Sequence, residues 1–468
     1  MRGPQFEPGS FRDPAARVFR HDGAVFRCLT ADALRDWNRL ASTQFFKRFT
    51  DDGRLVPTAR LDDPSALPAL SPPWVAVLEH RTISVLSYPY EWCFSMLQDA
   101  ALLQLDLLLA ALDEGMTLKD STPFNIQWVG SRPTFIDVGS FKVAEPGEPW
   151  AGYRQFCQQF LYPLFLQAYK DVPFHAWLRG SLEGIDAKHC SSLMSARDFF
   201  RPGVFAHVYL LSKAQARYEG VDRDVKRDLR SAGFSAELVK SNVRRMRRKV
   251  ERLKWEPTRS TWSDYTQCNT YDQEDRERKM QFVQQVAGSR RWSCVWDVGC
   301  NTGEYSRLVT DHADSVVAID ADHLAVERLY RALKAEHHAV ILPLLGDVVD
   351  PSPSLGWRGL ERQGLLGRGR PDLILCLALI HHLVISRNIP LPDLIEWLAG
   401  FKADLIIEFV APDDPMVEWL LRNRDDLDFG YTQEHFDACL SRHFRVVRQE
   451  ALGSGTRTVY HARSRSAE

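Results

Sequence analysis

The chain has 468 residues, enough for two or three domains. With 45% hydrophobic and 26% charged residues and a formal net charge of -2, it has the composition of an ordinary globular protein. No overall field recruits a polyanion, so nucleic acid is not indicated as a partner. The nine cysteines include no C-x-x-C pair, which points away from a zinc site and from a disulfide framework and fits a reducing compartment. Residues 1–14 lack the apolar core of a signal sequence. The longest apolar run, residues 100–112, is interrupted by Gln104 and Asp106 and is too short to span a bilayer. A cytoplasmic enzyme without a transmembrane segment is the expectation.

In chain order, residues 15–29 read as a hairpin, Arg17-Val-Phe-Arg20 and Ala24-Val-Phe-Arg27 around His21-Asp22-Gly23. A helix starts after Thr30. Strands follow at about 75–78 and 83–86, then a long helix at about 91–112. Two short strand-like pieces, 124–129 and 134–138, flank the turn Gly130-Ser-Arg-Pro133, and helical patterning runs from Trp150 to about Gly220.

Within this half, Leu118-Lys-Asp120-Ser-Thr-Pro-Phe-Asn125 is followed by Phe135-Ile-Asp137-Val-Gly139. Phosphoryl transfer needs one carboxylate to orient the acceptor hydroxyl, and an amide with a second carboxylate to hold magnesium. Asp120, Asn125 and Asp137 have that spacing, D-x-x-x-x-N and then D-x-G, and Tyr88-Pro89-Tyr90-Glu91 stands where a hinge between two lobes belongs. Residues 15–220 thus resemble an α+β protein-kinase-like domain. The resemblance implies Asp120 as the catalytic residue for phosphoryl transfer, Asn125 and Asp137 as magnesium ligands, and ATP as cofactor. The departures are a missing glycine-rich phosphate loop, Lys119 in place of the usual arginine, and no histidine before it. Arg27 is the best basic residue in the small lobe. The domain either transfers phosphate or is a degenerate module that binds or scaffolds.

Residues 221–260 read as a helical basic linker. Val239, Val243, Met246, Val250 and Leu253 form one apolar stripe, and the other faces carry lysines and arginines from Lys240 to Lys254. The structural reading is a connecting helix with a solvated basic face. The functional one is a docking surface for an anionic substrate or the membrane surface.

From Cys294 onward, strands at 294–297, 315–320, 340–344, 372–377, 404–409, 444–449 and 456–461 alternate mostly with helices. That pattern predicts a doubly wound, mainly parallel α/β sheet over residues 261–468, the last two strands forming an antiparallel edge hairpin. A nucleotide-like cofactor binds such a sheet at the carboxyl ends of its strands. The turn Asp297-Val-Gly299-Cys-Asn301-Thr-Gly303 lets the backbone approach a ligand closely, and the next two strands end at Asp320 and Asp347. A carboxylate at Asp320 can accept from two ribose hydroxyls, and Asp347 sits where an adenine amino group seeks an acceptor.

Asp297 precedes the first glycine and a full G-x-G-x-x-G is missing, so the set resembles class I S-adenosylmethionine-dependent methyltransferases with a seven-stranded Rossmann-like sheet. The resemblance implies that Asp297, Gly299, Asn301 and Gly303 line the methionine part of the cofactor, Asp320 the ribose and Asp347 the adenine. The fourth strand runs into Leu379-Ile-His381-His382-Leu383, which in this family faces the transferable methyl group. His381 and His382 are candidate bases, because an imidazole titrates near working pH, and Glu408 on the fifth strand is a further catalytic candidate. The lead-in with Tyr265, Tyr271 and Lys279 looks similar to a bacterial nodulation-type subfamily in which such residues fold over the cofactor.

Three readings of function follow. One is methyl transfer to an oxygen or nitrogen of a small-molecule, glycan or phosphoglycan acceptor. A second is a bifunctional kinase–methyltransferase that phosphorylates a glycan and then methylates the phosphate. The third is a non-catalytic module sensing nucleotide or S-adenosylmethionine.

Overall fold

The computed structural model describes residues 5–63, 67, 73–213, 235–257, 273–422 and 430–465. The chain forms two compact units. The first comprises Met1–Trp128, Arg132–Glu256 and Ser354–Gln363, the second Val129–Ser131, Pro257–Pro353 and Gly364–Glu468.

The first unit carries a five-stranded antiparallel sheet in the order Gln5–Phe6, Ala16–His21, Ala24–Leu29, Ala76–His80, Thr58–Arg60. The expected hairpin turns at Asp22 and Gly23, both with positive φ, the backbone a two-residue hairpin loop requires. Thr30 caps the helix Ala31–Ala41 by accepting from the Ala33 N–H. The strand expected at 83–86 does not form. There the chain leaves the sheet, and the backbone N–H and C=O of Ser87 bond to the side-chain amide of Gln127 at 2.8 and 3.0 Å rather than to a neighbouring strand.

The long helix expected at about 91–112 runs Phe94–Asp113 and is 20 residues long. By length and composition alone it is apolar enough to cross a membrane, a test that a buried core helix also meets. Most of it is buried inside the first unit, with Leu97, Leu105, Leu107 and Leu108 inaccessible.

Against it lies the helix Ala236–Glu251, whose stripe Val239, Val243, Met246 and Val250 is buried. Gln98 donates to the carbonyls of Val250 and Leu253, Arg247 pairs with Asp106 at 2.6 Å, and Lys240 with Asp113 at 2.9 Å. The segment read as a linker therefore contributes an integral helix of the first unit. Its apolar stripe, rather than its charge, decides where it goes.

In the second unit a seven-stranded sheet runs through Val295–Val298, Val316–Asp320, Ile341–Leu345, Leu373–Cys376, Asp404–Val410, Phe444–Ala451 and Arg457–Ser464. Numbered in chain order, the strands lie 3-2-1-4-5-7-6. The first five are parallel, and the seventh is antiparallel to both the fifth and the sixth. The first, third and fourth strands are buried along their whole length, which explains their unbroken apolar runs. The order reverses between the first and fourth strands, the switch point where a crevice opens at the carboxyl ends.

Candidate active site

At that crevice the first strand turns sharply. Gly299, Asn301 and Gly303 have φ of 79°, 50° and 78°. The Gly299 and Cys300 N–H groups bond the Ile319 carbonyl at 2.8 and 3.1 Å, and Asn301 N–H donates to Asp320 Oδ2 at 2.7 Å. A side chain at Gly303 would meet Leu329 at 2.6 Å, so this glycine lets the helix Glu304–Leu308 pack against the helix His323–Ala335.

Asp297, Gly299, Asn301, Asp320, Asp347, Lys279 and His382 line one pocket. Asp297 is buried and accepts a 2.5 Å hydrogen bond from Ser306 Oγ. Burial pushes its carboxyl up to about 6, with the Ser306 bond pulling the other way. Asp320 is held by two backbone donors, Asn301 and Asp322 N–H, at 2.7 and 2.8 Å, yet burial still raises it above the ordinary carboxylate range. Asp347 accepts from Val349 N–H at 2.9 Å and pairs with Arg387.

His382 opens the π-helical turn His382–Ser386 and faces the pocket, while His381 is fully buried and is not among the lining residues. Burial, with Arg457 nearby, holds the His382 imidazole down at about 4. Glu408 is fully buried and paired with Lys279, so it reaches no ligand in the pocket. Gly303 lies behind the turn rather than on the wall. Tyr265 and Tyr271 lie outside the described residues.

Sequence reasoning missed Arg276, Tyr305, Leu383 and Arg387, which also line the pocket. Arg276 was detectable, standing three residues before Lys279 on the same helix face. Tyr305, in the first turn after the glycines, was detectable as well.

In the first unit, Asp120, Asn125 and Asp137 do line one cleft, together with His80, Tyr88 and Phe124. Asn125 Nδ2 donates to Asp120 Oδ1 at 3.1 Å, and Ser140 Oγ donates to the same oxygen. Burial and the neighbouring Asp137 raise the Asp120 carboxyl. A magnesium-bound nucleotide fits these residues poorly. Arg27 already engages Asp137 at 2.6 Å. Gln127 takes the Ser87 N–H and C=O, and Glu91 takes the Tyr88 N–H at 2.9 Å, the backbone groups a purine edge would need at the expected hinge.

No established protein-family profile matches the chain. It is 34% identical to the nodulation protein NoeA of Rhizobium meliloti (strain 1021) over 455 residues, 97% of this chain and 94% of that protein. Among solved structures, the N-methyltransferase NodS from Bradyrhizobium japonicum WM9, in complex with S-adenosyl-L-homocysteine, is 15% identical with a TM-score of 0.31, covering 42% of this chain and 90% of NodS. An S-adenosylmethionine-dependent methyltransferase from Aquifex aeolicus is 17% identical with a TM-score of 0.29, covering 44% and 98%.

Proposed function

The chain belongs to the family of the nodulation protein NoeA, and on that premise we propose that it is an S-adenosylmethionine-dependent methyltransferase serving nodulation. Its acceptor is an oxygen or nitrogen of a small molecule, glycan or phosphoglycan. The observation that carries the reading is the convergence of Asp297, Asp320 and Asp347, from the ends of three successive strands, on one pocket beside the glycine turn.

The donor set fits the cofactor. A buried carboxyl raised to about 6, as at Asp297, is stabilised in its charged form by a cationic amino group. Asp320, fixed by backbone donors, has lone pairs left for ribose hydroxyls. Asp347 and Lys279 line the same pocket, paired with Arg387 and Glu408 respectively, and we assign Asp347 to the adenine end.

S-adenosylmethionine, when bound, supplies a methyl group on a sulfonium for in-line displacement. The chain's own work is alignment and exclusion of water. Leu377, Leu379, Leu383 and Tyr305 give the pocket apolar walls. His382, pushed down to about 4 by burial, does not titrate near working pH as a base would; neutral there, it accepts the hydrogen bond of an acceptor hydroxyl or amine and orients it toward the methyl group.

The test is transfer of label from methyl-tritiated S-adenosylmethionine into an extract of small molecules and glycans from the source organism. Wild-type protein labels a product and Asp297→Ala does not; label equal to that of a boiled control in both overturns the reading.

A further inference from the structure

Four charged side chains, Lys279, Glu408, Arg457 and Asp414, sit together in the second unit with side-chain exposures of 2%, 0%, 4% and 3%. Glu408 Oε2 receives both the Lys279 ammonium and the Ala378 N–H, the latter at 2.8 Å. Its other oxygen lies 3.5 Å from Arg457. Asp414 holds Arg457 by two hydrogen bonds of 2.7 and 3.0 Å, and it also caps the helix Pro415–Leu421. Burying so many charges is costly, and well-packed apolar residues commonly replace such pairs without loss of stability. A fold does not require this network for stability alone, so what it holds in place becomes the question.

Glu408 joins two walls of a pocket that it does not itself line. On one side is Lys279 of the helix Gln273–Ala287, whose ammonium lies 4.9 Å from the Tyr305 ring centroid. On the other is Ala378, which leaves the fourth strand with φ of 49°. A left-handed non-glycine residue is strained, and its N–H has left the sheet ladder; the Glu408 carboxylate supplies the partner that holds it there. The turn at Ala378 then sets Leu379, which packs against Gly299, and after it His382.

We infer that Glu408, paired with Lys279, is a positioning residue for the cofactor and acceptor pocket. It fixes the Ala378 turn that presents Leu379 and His382, and it holds the Lys279 ammonium on the opposite wall. This rests on the methyltransferase reading of the pocket and replaces the direct catalytic role expected of Glu408.

A double-mutant cycle tests it, with melting temperature, S-adenosylhomocysteine affinity by calorimetry, and the His382 ring resonances by NMR as readouts. Lys279→Met leaves Glu408 with Arg457 as its counter-ion, Glu408→Met takes the carboxylate from the buried Lys279 ammonium, and each lowers the melting temperature. The double variant recovers part of the loss, the Ala378 N–H still lacking its acceptor. The inference expects that recovery to stop at stability, with affinity at least tenfold weaker than wild type and the His382 resonances shifted. Recovery of affinity and resonances together with melting temperature overturns it. Should the double variant not fold, Glu408→Gln decides, since it keeps an acceptor for the Ala378 N–H without the charge. Affinity then falls while the His382 resonances stay in place, and unchanged affinity overturns the inference. Wild-type protein that binds no S-adenosylhomocysteine refutes the pocket reading itself, a separate result with which the inference also falls.

Discussion

His382 lines the pocket, while His381, its ring centroid 4.1 Å away, is wholly buried and does not line it. The two adjacent histidines therefore part in function. His382→Ala lowers turnover roughly tenfold, the loss of one neutral hydrogen bond that orients the acceptor, with S-adenosylhomocysteine affinity held within a few-fold. His381→Ala leaves a cavity and costs about 2–4 kcal/mol of stability, measured by chemical denaturation. Because the His382 imidazole is held at about 4, its accepting nitrogen is lost only as pH falls through that value, and the His382-dependent rate stays flat above pH 6.

Asp297 gives the cofactor site a pH dependence of its own. Its carboxyl is raised from 3.8 to about 6 in the folded protein. The folded state therefore keeps a proton that the unfolded chain releases, and stability of the free protein declines as pH rises through that window. A ligand ammonium favours the carboxylate, so affinity weakens as pH falls below about 6, toward tenfold per unit. Calorimetry at pH 5, 6 and 7 with S-adenosylhomocysteine measures this, and Ser306→Ala, which removes a stabilising donor, moves the midpoint upward.

Gly299 and Gly303 share a positive φ but differ in surroundings. A methyl at Gly303 meets Leu329 at 2.6 Å, whereas at Gly299 it meets Leu379 at 3.3 Å. Gly303→Ala thus lowers stability more, by about 2–3 kcal/mol from backbone strain and displacement of the packed leucine. Gly299→Ala chiefly weakens S-adenosylhomocysteine binding, because its methyl stands at the lip of the pocket. Thermal denaturation and calorimetry on both variants separate the two effects.

The segment Ser354–Gln363 is held in the first unit by polar contacts. Arg12 makes two hydrogen bonds to Glu361 at 2.7 and 3.2 Å, Tyr88 Oη accepts from Gln363 N–H at 3.0 Å, and Arg362 stacks over Phe124 at 4.4 Å. Gly9 is packed so closely on it that a Cβ would stand 2.6 Å from the Glu361 carbonyl oxygen. Gly9→Ala dislodges this segment, and limited proteolysis by trypsin cuts at Arg358 or Arg362 faster than in wild type.

The sheet of the second unit was legible because buried parallel strands read as apolar runs ending in carboxylates and glycine turns. All seven strands were expected within a few residues of where they lie, the edge hairpin running on to Ala451 and Ser464. What escaped was set by contacts distant in sequence. Nothing local marks residues 354–363 as part of the first unit, since the Arg12–Glu361 pair spans 349 residues. Nor does the sequence reveal that Glu408 faces Lys279, 129 residues away, rather than a ligand, or which of the two histidines lines the pocket. The basic helix misled through its charge, although its apolar stripe correctly reported a buried face.

The most direct measurement of the central claim is a calorimetric titration of the full chain with S-adenosylhomocysteine, wild type beside Asp320→Ala. The account predicts saturable one-to-one binding by wild type, weakened at least ~10-fold when the carboxylate and its charge-assisted hydrogen bonds are removed. Absence of binding by wild type, or equal affinity in Asp320→Ala, contradicts it.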